Sequence, residues 1–168
     1  MLGAFFVHLL TASGAVIGLW SVYALLKGGV YLAVLLNLLT FIVDGVDGPL
    51  ARKFKVKEKL PWFDGSAIDM VIDFFNYCMW PALFLLMTPL ISAPINIYAA
   101  SVIVLSSVFW YGCVDQKTDD WSFKRFPCLW NIVVIYLLLG QAPEWLSISL
   151  IAFFAIMTFV PAYFPHGF

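Results

Sequence analysis

Long apolar runs alternate along the chain with short polar breaks. Six runs stand out, at roughly Leu9–Leu26, Val30–Phe54, Gly65–Met87, Pro94–Val114, Pro127–Gly140 and Pro143–Tyr163. A helix needs about 20 apolar residues to cross hydrocarbon. The pattern therefore predicts an all-α integral membrane bundle of six transmembrane helices. The fifth run is short by that measure. It is expected to gain a turn on its N-terminal side, or to sit where the bilayer is thin and protein covers it. The breaks fall at Lys27-Gly28-Gly29, Pro61, Thr88-Pro89, the polar stretch 115–127 and Gln141-Ala142-Pro143. There is no internal repeat and no low-complexity segment, so residues 1–168 read as a single membrane domain. The opening MLGAFFVHLL has neither a basic n-region nor a small-residue cleavage site, and reads as the entry to the first helix.

Composition supports this reading. Hydrophobic residues make up 63% of the chain and charged residues only 11%. A soluble domain carries roughly a quarter charged residues. The three cysteines are scattered, without a C-x-x-C pair, and read as apolar filler. A net charge of -1 is uninformative, but its distribution is not. Arg52, Lys53, Lys55, Lys57 and Lys59 lie between the second and third runs; Lys117, Lys124 and Arg125 lie between the fourth and fifth. With six spans both connections share one face. Lys and Arg mark that face as cytoplasmic, together with both termini.

Four carboxylates interrupt the apolar pattern. Asp44 and Asp47 end the second run; Asp69 and Asp73 lie in the third. Helical residues three, four, seven and eight apart share a face. Asp44, Asp47, Gly48, Ala51 and Arg52 have that spacing, as do Gly65, Asp69 and Asp73. A short connection makes the two helices antiparallel neighbours, so their acidic faces should meet near the cytoplasmic boundary. Like charges that close need cations or raised pKa values. Oxygen-only ligands favour Mg²⁺, Mn²⁺ or Ca²⁺ over zinc, and a pair of such ions suits phosphoryl transfer. Gly48 and Gly65 read as clearance for a substrate that approaches the backbone. Gly45 is left open between that role and small-residue helix packing. Pro49 deprives the Gly45 carbonyl of its helical partner and reads first as a kink.

The segment D44-G-V-D-G48-P-L-A-R52, followed by G65-S-A-I-D69-M-V-I-D73, resembles the signature of the CDP-alcohol phosphatidyltransferases. That signature is D-x-x-D-G-x-x-A-R, a spacer, then G-x-x-x-D-x-x-x-D. The spacer here, Lys53 to Asp64, is longer than usual. With "VHLLTASGAV", "VDQKTDDWSFKRFPCLWN" and "TFVP", it resembles the bacterial members that make phosphatidylcholine. The family's polar loop tends to read F-x-G-F-P-S, whereas Arg125 and Cys128 stand here at the small positions. Relatives also commonly begin with more basic residues and continue past Pro161.

The resemblance implies a reaction between CDP-diacylglycerol and choline that yields phosphatidylcholine and CMP, with Mn²⁺ or Mg²⁺, in a bacterial inner membrane. It implies metal-ligand roles for Asp44, Asp47, Asp69 and Asp73, with Asp73 also the base on the acceptor hydroxyl. Gly48, Ala51, Arg52 and Gly65 would border the CDP group. The expected partners are the two substrates and membrane lipids, with no nucleic acid, and a homodimer is left open.

Choline is a quaternary ammonium and calls for aromatic faces beside negative charge. Tyr77, Trp110, Tyr111, Trp121 and Trp130, near Asp115, Asp119 and Asp120, are the candidates. Each also fits the ordinary interfacial belt of Trp and Tyr. His8 and His166 read as structural, and Asn76 and Asn131 as helix–helix hydrogen-bonding groups. The competing readings are another acceptor, such as serine or glycerol phosphate, or a membrane cation transporter with an acidic site.

Overall fold

The computed structural model describes residues 2–116 and 122–164, and these are overwhelmingly helical. In order they form α1 (Leu2–Leu26), α2 (Val30–Lys53), α3 (Val56–Lys59), α4 (Gly65–Phe74), a π turn (Phe75–Met79), α5 (Trp80–Met87), α6 (Ile95–Tyr111), α7 (Trp130–Leu139) and α8 (Glu144–Met157). Among the described residues, α1, α2 and the continuous run Gly65–Met87 are long and apolar enough to cross a membrane. The protein is thus an all-α, multi-pass membrane protein. The last three apolar helices are shorter, at 17, 10 and 14 residues.

The fifth run does not gain the expected N-terminal turn. Pro127 has no N–H to donate, and Cys128 adopts φ 56, so the helix begins only at Trp130. The sixth run also ends early, at Met157. Tyr163 and Phe164 leave it to pair with Phe123 and Lys124 as a two-stranded antiparallel sheet, β1 (Phe123–Lys124) and β2 (Tyr163–Phe164).

The chain forms two compact units, residues 1–76 and 77–168. In the first, α1 and α2 form a hairpin through Lys27-Gly28-Gly29, with Gly28 at φ +77. The Ser21 hydroxyl donates to the Ala33 carbonyl at 2.6 Å across the seam. Asn76 ties α1 to the π turn by donating Nδ2 to the Gly14 carbonyl at 3.3 Å. Asn37 of α2 in turn donates Nδ2 to the Asn76 carbonyl at 3.0 Å. Both asparagines are buried, as hydrogen-bonding groups in an apolar bundle must be.

Gly18 makes this arrangement sterically feasible. A Cβ there would overlap Asn76 Oδ1 and lie 2.9 Å from Phe75 Cε1. Gly18→Ala is expected to destabilise by about 1–3 kcal/mol through overpacking. Gly45, whose Cβ would meet nothing within 4 Å, should tolerate Ala with no loss. Thermal unfolding of the two variants in detergent checks this; equal melting temperatures would contradict the steric account.

Below the α1–α2 hairpin, Ala4 and Val7 pack with Val56 and Leu60, flanked by Leu50, Phe54 and Phe63. That cluster folds the basic linker back against α1. It delivers the chain to Asp64, whose carboxylate accepts from the backbone N–H groups of Ser66 (3.0 Å) and Ala67 (3.2 Å). This N-cap fixes the start of α4 at Gly65.

In the second unit, Trp80, Phe84, Ile103, Trp130 and Ile151 are fully buried. Asp115 receives Lys124 Nζ at 2.7 Å and Arg125 Nη1 at 2.8 Å. Arg125, and secondarily Lys124, hold its carboxyl well below the usual carboxylate range. Arg125 adopts φ 80, the left-handed region that favours the glycine of the related pattern. Its fork-like contact with Asp115 offsets part of that cost.

Candidate active site

The site belongs to the first unit. The helical spacings place Asp44 and Asp47 on one face of α2, and the Asp64 cap sets the phase of α4 so that Asp69 faces them. Asp44, Asp47 and Asp69 each present a carboxylate oxygen, and these oxygens all lie within 4.8 Å of one another. Asp73, one turn further along α4, is in hydrogen-bonding contact with Asp44 and within electrostatic range of Asp47 and Asp69. Asp47 is buried and in contact with the Thr11 hydroxyl and the Gly48 backbone. Asp44 and Asp69 are partly exposed.

An oxygen-only donor set this tight fits a divalent cation, because anionic oxygens repel one another until an ion neutralises them. Asp44, Asp47 and Asp69 are the residues that would hold it, with Asp73 adjoining.

A cavity of about 880 Å³ opens from this cluster. Asp47 and Asp69 line it, and so do Arg52, Lys55 and Lys57. Arg52 is exposed and makes no ion pair among the described residues. Its Nη1 lies near Gly48, 3.7 Å from where a Cβ would stand, so Gly48 leaves the guanidinium room above α2. Acidic groups beside basic ones suit a ligand whose own anionic groups bridge a cation and a guanidinium. The size falls in the range of small-molecule sites.

Gly65 lines the cavity too, but the space its Cβ would need is held by a side chain. That Cβ would lie 2.7 Å from His8 Cε1. Reading the sequence for substrate clearance therefore missed His8, which looked like a lone structural histidine. Thr11 was missed likewise. Their only sequence signal is the i, i+3 spacing, which puts both on one face of α1.

The aromatic candidates lie in the second unit. Trp110 and Tyr111 form an edge-to-face pair with centroids 5.0 Å apart. Tyr77 is buried; Trp130 is wholly buried, with Phe126 edge-on at 5.0 Å. The Trp110 indole N–H is buried with no hydrogen-bond partner among the described residues, and the Trp130 side chain contacts the Cys128 thiol. Asp115 is already engaged by two cations, which leaves less of its charge for a third. Trp121, Asp119 and Asp120 lie outside the described residues, as does His166.

Comparison with known proteins agrees with the geometry. The family profile of CDP-alcohol phosphatidyltransferase matches residues 6–161. A phosphatidylcholine synthase of Rhizobium meliloti is 40% identical over 97% of the chain and 68% of its own length. The phosphatidylcholine synthases of Agrobacterium fabrum (37% identical) and Borreliella burgdorferi (34% identical) also align over 97% of the chain, and over 68% and 70% of their own lengths. The acidic pair on α2, the acidic pair on α4 and a match over almost the whole length agree: the chain belongs to the CDP-alcohol phosphatidyltransferase family.

Proposed function

We propose that this membrane enzyme transfers the phosphatidyl group of CDP-diacylglycerol to choline and releases CMP. The observation that carries the transferase chemistry is the convergence of the α2 and α4 carboxylates at a cavity that Arg52, Lys55 and Lys57 also line. The names of the similar proteins point to choline as the acceptor. Membership of a transferase family argues against a cation transporter.

The chain's residues divide the work. Asp44, Asp47, Asp69 and Asp73 would hold the divalent ions, Mn²⁺ or Mg²⁺. When bound, a pair of such ions would offset charge on the pyrophosphate and on the departing CMP. Arg52 reaches the phosphates from the aqueous end of α2, while Gly48, Ala51 and Gly65 border the CDP group. Asp73 accepts the proton of the choline hydroxyl. The choline oxygen forms a bond to the phosphorus that carries diacylglycerol, and the bond from that phosphorus to the CMP oxygen breaks. CMP leaves with the bonding pair. Little covalent chemistry falls to the protein, so positioning and charge placement supply most of the acceleration. The basic linker between α2 and α4 supports a site on the cytoplasmic side by the positive-inside rule, and the bacterial origin of the similar proteins supports an inner membrane.

An acceptor panel tests the reading. Purified protein in vesicles containing CDP-diacylglycerol should release CMP with choline and much less with serine or glycerol phosphate. Leu at Trp110 or Tyr111 should raise the choline KM, up to roughly thirtyfold for a lost cation–π contact of about 2 kcal/mol. The CDP-diacylglycerol KM should stay nearly constant. Serine outcompeting choline would overturn the acceptor; choline KM values within about twofold of the parent would overturn the aromatic site.

A further inference from the structure

We propose that His8 is a binding residue for the nucleoside half of the lipid substrate, with Nε2 making the hydrogen bond that the protein leaves unmade. The inference rests on the transferase reading and adds a residue to it. His8 lies in α1, away from the acidic motif in sequence, yet it lines the same cavity as Asp47, Arg52 and Gly65. His8 is only 8% exposed, and its Nε2 is buried with no hydrogen-bond partner among the described residues.

A buried imidazole nitrogen without a partner is costly, and native structures rarely keep one without a reason. The ring is also not free to turn toward water. Phe63 packs against it at a tilt, with centroids 4.3 Å apart and planes at 48°. Its other side fits the notch left by Gly65, where a Cβ would lie 2.7 Å from Cε1 and 3.2 Å from Nδ1. The chain thus spends a glycine and an aromatic contact on fixing a polar group beside a cavity.

Position selects the part of the ligand. Thr11 contacts Asp47, so that level of α1 adjoins the carboxylates. His8 stands one turn away, about 4.5 Å along the axis at 1.5 Å per residue. In the transferase reading the diphosphate falls to the ions that the carboxylates would hold and to Arg52. What remains of a CDP group beyond its diphosphate is a sugar with hydroxyls and a base with amine and carbonyl edges. An imidazole nitrogen pairs with such groups.

Calorimetry with Mn²⁺ in detergent micelles, comparing CMP with inorganic pyrophosphate, tests this. His8→Leu should weaken CMP binding about 5- to 30-fold and leave pyrophosphate binding unchanged. His8→Gln, whose amide nitrogen reaches the Nε2 position, should recover CMP binding to within about threefold of the parent. In turnover, His8→Leu should raise the CDP-diacylglycerol KM and not the choline KM. His8→Phe, which keeps a ring against Phe63 and removes both nitrogens, should repeat the selective loss of CMP if His8→Leu fails to fold. Equal losses for CMP and pyrophosphate, an effect on choline alone, or failure of Gln to recover more than Leu would overturn the proposal. A parent protein that binds CMP while His8→Leu binds it equally well overturns this inference alone. A parent that binds no CMP overturns the transferase reading and this inference with it.

Discussion

Asp73→Asn should lower turnover by roughly 10²–10⁴-fold, the usual loss when a positioned base is removed. CDP-diacylglycerol binding should be largely kept, because Asp44, Asp47 and Asp69 still converge without Asp73. The substitution preserves size and hydrogen-bonding shape but cannot take up the acceptor proton. Single-turnover release of CMP, set against equilibrium binding of CMP, separates the two effects. Binding that falls as far as the rate would mean that Asp73 serves as an ion ligand alone and not also as the base.

Asp47→Asn should have the opposite signature. Asp47 is buried, lines the cavity and shares its 4.8 Å cluster with Asp44 and Asp69. Removing its charge should weaken both metal and CMP binding, with losses of tenfold or more for a change of about 1.4 kcal/mol or more. Titration of Mn²⁺ with and without CMP measures each. Asp44→Asn should behave in the same way. Full metal affinity in both variants would remove the acidic cluster from the chemistry.

The acidic site was legible in the sequence because all its geometry is local. Asp44 and Asp47 share one helix, Asp69 and Asp73 another, and helical periodicity fixes each pair's face without knowledge of the packing. One short connection then suffices to bring the pairs together. His8 was not legible for the opposite reason. Its meaning depends on α1 lying beside α4 closely enough for an imidazole to occupy the notch at Gly65. No spacing in the chain encodes that contact.

The π turn at Phe75–Met79 was hidden in the same way. Nothing in F-F-N-Y-C-M marks it, whereas Asn37 and Gly14 each hydrogen-bond Asn76 from other helices. Hydropathy found the apolar runs but not the ends of the short ones. Pro127 and the left-handed backbone at Cys128 delay α7, and pairing with β1 draws Tyr163 and Phe164 out of α8. Both are backbone events that a count of apolar residues does not see.

The central claim is that the aspartates of α2 and α4 hold divalent ions which in turn hold the CDP group. Anomalous scattering at the manganese edge, from crystals soaked with Mn²⁺ and CMP, tests it most directly. The account predicts manganese peaks ligated by Asp44, Asp47 and Asp69, with Asp73 adjoining and the CMP phosphate completing the coordination. Manganese elsewhere, or CMP bound with no ion between its phosphate and these carboxylates, would contradict it.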